Sequence, residues 1–210
     1  MSTPATLTVA SGPATLDDLY CVEGKAELVA GRIIYQVASG FDASWTAFEI
    51  AVALRQYAHE SGLGFAFSDG IGFAVRPPLA NGRQSFTPDA CYYPGKRPIR
   101  SKRFIDGVPV FAVEVRSEND YGPAAEVEMA AKRADYFEAG TSIVWDVDTD
   151  ACTITVYRDG NPMNPAIVYH RADVADAEPA LPGWRLVVAA VFQEPDQSTS
   201  TTADGGHNEL

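Results

Sequence analysis

Apolar positions crowd together between residues 108 and 115, where Val108, Val110, Phe111, Ala112, Val113 and Val115 stand almost without interruption. A run this dense in branched and aromatic side chains predicts a strand covered on both faces and central in its sheet. Glu114 breaks the run and Arg116 follows two positions on, so both side chains leave one face of the strand. A carboxylate there needs a partner, a metal or water.

The remaining pattern predicts a mixed set of elements. TLDDLYCVE suggests a short helix capped by Thr15, with Asp17 and Asp18 in its first turn. AELVAGRIIYQV holds two apolar runs around Ala30-Gly31, the pattern of a hairpin. Residues 43–61 carry Trp45, Phe48 and Val52 at spacings of three and four, with Leu54 two positions further on, and stop before Gly62, a helix signature. GFAFSDGIGFAVRP and SFTPDACYYP each predict a strand ahead of the central one. A second helix is bounded by Pro123 and Gly140. SIVWDVD and CTITVYRDG then give two strands joined at Thr149-Asp150, and LPGWRLVVAAVF ends the domain in a short element. With no internal repeat, this order indicates an α/β or α+β domain with helices on the faces of a sheet.

Composition narrows the class. Residues 1–14 and 194–210 are rich in small and polar side chains and are expected as disordered tails, the second acidic, around one domain at 15–193. No apolar stretch reaches the roughly 20 residues of a membrane-spanning helix, and no basic start leads into an apolar block, so a soluble protein without a secretory signal is expected. Cys21, Cys91 and Cys152 are scattered, which fits reduced thiols in a cytoplasm. The formal charge of -12 argues against a general nucleic-acid coat protein. One loop departs from it: PGKRPIRSKRF gathers Lys96, Arg97, Arg100, Lys102 and Arg103, either as a solvated segment or as a phosphate contact between two acidic strands.

Those strands carry the candidate chemistry. Asp89 follows Pro88 in one and Glu114 lies in the next, so pairing of the strands would bring two carboxylates together. Like charges at one sheet end need a proton or a divalent cation between them, and hard oxygen donors suit Mg²⁺ or Mn²⁺. Taken alone, a Pro-Asp and a strand Glu more often serve structural roles. Asp120 is placed to cap the second helix or to touch the site from outside, Asp146 and Asp148 as solvated strand-end charges, and Tyr136 as a core aromatic with its hydroxyl at the edge. His59, His170 and His207 are too scattered to suggest a site.

Read in order, AELVAGRI, FTPDACYY, FAVEVRS, KRADYFEAG and IVWDVDTDACTITVYR resemble the Uma-type restriction endonuclease family, within the PD-(D/E)XK nuclease superfamily, from about Leu16 to Trp184. The resemblance implies a restriction-endonuclease-like mixed central sheet flanked by helices. It also implies Mg²⁺ (or Mn²⁺) held by Asp89 and Glu114, with Glu27 as a further acidic contact to metal or water. The superfamily's lysine would fall at Arg116; Uma-type sequences carry it on the following helix four residues before a Tyr, which Lys132 and Tyr136 match. Where the family commonly has His in its first long helix, this chain has Trp45. The implied activity is hydrolysis of DNA phosphodiesters, with Lys132 stabilising developing charge and Arg116 paired with an acid such as Glu118 or reaching the DNA. The alternatives are a nuclease fold without turnover that binds nucleic acid or protein, and a site for a small phosphorylated ligand. DNA is the expected partner, no membrane is, and a homodimer stays open.

Overall fold

The computed structural model describes residues 12–97, 102–158 and 160–192. The expected tails fall almost wholly outside these ranges, as do Arg100 and His207.

The chain enters through α1 (Leu16–Leu19), where Thr15 and Asp18 close a capping box: the Asp18 carboxylate accepts from the Thr15 N–H at 2.8 Å, and Thr15 Oγ1 accepts in return from the Asp18 N–H. β1 (Ala26–Val29) and β2 (Arg32–Tyr35) form the predicted antiparallel hairpin. Its turn needs a glycine, because Gly31 sits at φ +70° and a Cβ there would come within 2.4 Å of Pro13. α2 (Phe41–Ser61) ends at Gly62 in the left-handed conformation.

Two segments that look like single strands each divide between sheets. GFAFSDGIGFAVRP gives β3 (Phe65–Ser68) and β4 (Phe73–Ala74), and SFTPDACYY gives β5 (Ser85–Phe86) and β6 (Ala90–Tyr93). β4 lies between β5 and β7 (Ile105–Asp106) in a small sheet of its own. β8 (Phe111–Val115), α3 (Pro123–Ala139), β9 (Ile143–Asp148), β10 (Thr153–Arg158) and β11 (Ile167–Tyr169) follow. The chain closes with the antiparallel pair β12 (Val174–Asp176) and β13 (Arg185–Val187) and a 3-10 turn at Val188–Val191.

The main sheet has the order β11-β10-β9-β8-β6-β3. β8 is interior, as its continuous apolar run predicts, and β8 with β9 is the parallel pair while the other neighbours run antiparallel. A parallel pair needs a crossover, and α3 supplies it. The pleat of β8 sorts its residues: Phe111, Val113 and Val115 join Ile50 and Leu54 of α2, while Ala112 joins Tyr136 of α3. Glu114 therefore points with Ala112 toward α3. On the other face Phe111, Trp145 and Trp184 pack ring against ring at 5.0 to 5.8 Å.

α2 buries a face other than its large apolar residues suggest. Ala43, Ala47, Ile50, Ala51 and Leu54 face the core, while Trp45, Phe48 and Val52 are exposed. Small side chains let the helix approach the sheet closely, and the bulky ones are left outside. No helix among the described residues is long and apolar enough to cross a membrane.

Candidate active site

Glu114, at the end of β8, is met by two residues one helical turn apart on α3. Lys132 Nζ donates to Glu114 Oε2 at 2.7 Å and Tyr136 Oη donates to Oε1 at 2.6 Å. Spacing of i and i+4 places both on one helix face. Tyr136 is fully buried and stacks on Phe86 with centroids 4.3 Å apart, so the expected core ring also orients the carboxylate.

Glu27 reaches the same place from β1. Thr87 donates to its Oε1 through N–H at 2.9 Å and Oγ1 at 3.0 Å, Arg83 Nη1 donates to Oε2, and Lys132 Nζ lies 3.5 Å from Oε1. Arg83 is held by Asp135 of α3, whose Oδ2 accepts from Arg83 Nε at 2.7 Å. Burial raises the Glu27 pKa, but the charges of Lys132 and Arg83 outweigh it and hold the carboxyl at about 2. Glu27 is thus ionised, and its acceptors are filled by protein donors.

Asp89 immediately precedes β6, where Ala90 pairs with Val113, so it leaves the strand next to that of Glu114. Its Oδ2 accepts from the Val115 N–H at 2.9 Å and its Oδ1 from Lys25 Nζ at 3.0 Å. Lys25 Nζ also lies 2.5 Å from Asp69 Oδ1. Burial pushes the Glu114 carboxyl up, the charges of Asp89 and Glu27 push it further, and Lys132 opposes them, leaving it at about 7. The acids outweigh the burial of Lys132 and raise its pKa, keeping the ammonium charged.

Among the described residues no group of three or more His, Cys, Asp and Glu side chains forms a ready metal cage. The donors nevertheless fit Mg²⁺ or Mn²⁺, since Mg²⁺ is commonly held by one or two carboxylates and keeps several waters for itself and substrate phosphate. Asp89 and Glu114 supply such a pair from adjacent strands, and their mutual repulsion is what a cation relieves.

Arg116 is not part of this cluster and does not pair with Glu118. Its Nε and Nη2 grip Asp146 at 2.7 Å each, and Nη2 also reaches Glu126 at 2.8 Å. Arg133 joins the same two acids, at 2.8 Å to Asp146 and 2.6 Å to Glu126. Asp146 is accordingly 2% exposed rather than solvated. The parallel register sets it beside Glu114, on the covered face, where two guanidiniums neutralise it. Asp148 accepts from Tyr121 Oη at 3.1 Å. Asp120 caps no helix: it closes a turn, accepting from the Ser117 N–H at 2.8 Å and Oγ at 2.7 Å, and the residue ahead of α3 is Gly122. In the basic loop Lys96, Arg97 and Lys102 are exposed, while Arg103 binds Asp17 at 3.0 Å and lies over the Tyr20 ring. His59 and His170 are exposed.

Sequence reasoning missed Lys25, Asp69, Arg83, Thr87 and Asp135. One signal was available: a carboxylate in the apolar β1 run demands a buried cation, and that cation is Arg83.

A mixed sheet whose one parallel pair is spanned by a helix, with acids on neighbouring strands and a lysine on that helix, defines a nuclease-like α+β fold. The crystal structure of a "putative nuclease belonging to DUF820" from Anabaena variabilis shares it with a TM-score of 0.65, covering 86% of this chain and 98% of that one at 18% identity. A family model described as "Putative restriction endonuclease" matches residues 15–189, and the chain belongs to that family, Uma2. No curated protein matches the chain.

Proposed function

We propose that the protein is a metal-dependent endonuclease that hydrolyses DNA phosphodiester bonds, with Asp89 and Glu114 holding Mg²⁺ or Mn²⁺. The observation that carries this reading is the Lys132 ammonium, 2.7 Å from Glu114, on the helix that follows the strand beside Asp89. Bound there, the cation would polarise a phosphate oxygen and lower the pKa of a water. Lys132 keeps its charge and faces the site, where it stabilises negative charge developing on the phosphate. Glu27 acts through Lys132, holding the ammonium in place, rather than as the direct metal or water contact that the resemblance implies. Tyr136 fixes the other oxygen of Glu114, so that carboxylate loses little freedom on binding.

A second reading, a nuclease fold that binds nucleic acid or protein without turnover, draws on the protein donors already bonded to every oxygen of Asp89 and Glu114. Nicking of supercoiled plasmid in Mg²⁺ or Mn²⁺ separates the two. The expected result is slow cutting by the wild type and none by Asp89→Ala at unchanged fold. Binding without cutting, across several metals and DNA forms, would favour the second reading.

A further inference from the structure

Three acids of the site, Glu27, Asp89 and Glu114, each meet a cation of the chain itself, Arg83, Lys25 and Lys132 respectively. Arg83 and Lys132 are tied to Glu27 and Glu114, with Arg83 further secured by Asp135. Lys25 is held differently. Its ammonium lies between a part-buried acid, Asp89, whose side chain is 20% exposed, and an open one, Asp69, at 61%. The two distances, 3.0 and 2.5 Å, make it a shared cation. Both acids also line one cavity of about 200 Å³, with Ser39, Ser44 and Val115 in its wall.

We propose that Lys25 is an internal competitor for the divalent cation at Asp89, and that Asp69 is the seat to which its ammonium withdraws when the ion binds. The inference rests on the metal-dependent reading and adds to it a residue that sets how readily the site fills. Without an ion, the Lys25 ammonium offsets the repulsion between Asp89 and Glu114. A dication arriving at Asp89 Oδ1 meets an ammonium in hydrogen-bond contact with that oxygen, and the two charges repel at short range. Lys25 relieves that repulsion by leaving the oxygen, and a lysine stem of four carbons allows it to do so without moving β1. Asp69 then decides the cost. With it, Lys25 exchanges two acidic partners for one; without it, Lys25 would be left with none of its salt bridges. The pair Lys25–Asp69 therefore sets the free-ion concentration at which the site loads.

Titration calorimetry of Mn²⁺ into the full chain, with no DNA present, tests this apart from turnover. Lys25→Met keeps the length of the stem and removes the charge; it should bind Mn²⁺ roughly fivefold tighter than wild type, the scale of one part-buried ion pair that no longer has to be broken. Asp69→Asn should bind it more weakly than wild type, by about threefold. In chelator the Lys25→Met chain should melt below wild type, and Mn²⁺ should raise its melting temperature by more. Equal or weaker binding by Lys25→Met, with clear binding by wild type, would overturn the competitor role and leave the metal site standing. Tighter binding by Asp69→Asn would overturn Asp69 as the alternative seat. Absence of Mn²⁺ binding in all three chains at millimolar ion would overturn both this inference and the metal-dependent reading beneath it.

Discussion

Lys132 lies 2.7 Å from Glu114 and 3.5 Å from Glu27, so a single ammonium joins acids carried by β8 and β1. Arg116, two residues beyond Glu114, is committed elsewhere, to Asp146 and Glu126. The two cations therefore have separable roles. Lys132→Ala should lower turnover by two orders of magnitude or more, since a preorganised charge at the developing negative centre is lost. Arg116→Ala should leave turnover within several-fold of wild type but cost about 2 kcal/mol of stability, because Arg133 still partners the buried Asp146 and softens the loss. Nicking rates and urea unfolding of both variants check this. An inactive Arg116→Ala beside an active Lys132→Ala would return the catalytic cation to the strand.

Tyr136 combines a ring in the core with a hydroxyl on Glu114, and two substitutions divide them. Tyr136→Phe keeps the stack on Phe86 and should cost on the order of 1 kcal/mol, or somewhat more because its acceptor is charged. Tyr136→Ala should cost about 3–5 kcal/mol through the cavity it leaves. Denaturant midpoints at equal slope report the difference.

Acid and base limbs of the stability profile should belong to different glutamates. Glu27 has its folded pKa held to about 2, below its ordinary 4.5, so its contribution is complete above pH 4.5 and is lost as pH falls toward 2. At roughly 1.4 kcal/mol per pKa unit this amounts to a few kcal/mol. Glu114 is displaced the other way, from 4.5 to about 7, so its contribution is present below pH 4.5 and is lost as pH rises through 7. In chelator, the stability deficit of Glu27→Gln relative to wild type should shrink between pH 4.5 and 2. Glu114→Gln should gain on wild type between pH 4.5 and 7 and hold a constant difference above that range. Parallel profiles for wild type and both variants would show that neither pKa is displaced.

Local signals were legible in the sequence and non-local ones were not. The Thr15 cap, the Ala30-Gly31 turn, the limits of α3 and the interior place of β8 all follow from residues within one element. Division of SFTPDACYY into β5 and β6 was hidden, because which sheet each half joins depends on distant partners. The exposed face of α2 was hidden for a related reason: close approach to the sheet favours Ala43, Ala47 and Ala51 over the bulky residues that dominate its apolar pattern. At the site, the resemblance marks Glu27, Asp89, Glu114, Lys132 and Tyr136, and Lys132 bridges Glu27 and Glu114 while Tyr136 holds Glu114. What no motif marks is the second set of charges. Lys25 meets Asp89 across 64 positions, and Arg83 meets Asp135 and Glu27 across 52 and 56. Asp146 misled for the same reason, since its two arginines come from β8's end and α3.

The basic loop divides into residues with different work. Arg103 is bound to Asp17 and lies 4.4 Å above the Tyr20 ring, which itself packs edge-on against Phe104, so it ties the loop to α1. Lys96, Arg97 and Lys102 are exposed and point no comparable structural use. If they contact phosphate, each neutralisation should flatten the slope of log K against log salt by about 0.9, since each contact releases condensed counterions. The triple change of Lys96, Arg97 and Lys102 to Gln should then weaken duplex binding in Ca²⁺ and reduce the slope by nearly 3. Arg103→Gln should instead lower stability by under about 1 kcal/mol, because its ion pair is exposed, and leave the slope nearly unchanged. A triple variant with the wild-type slope would make the loop a solvated segment, and a slope lost in Arg103→Gln alone would move the phosphate contact to α1.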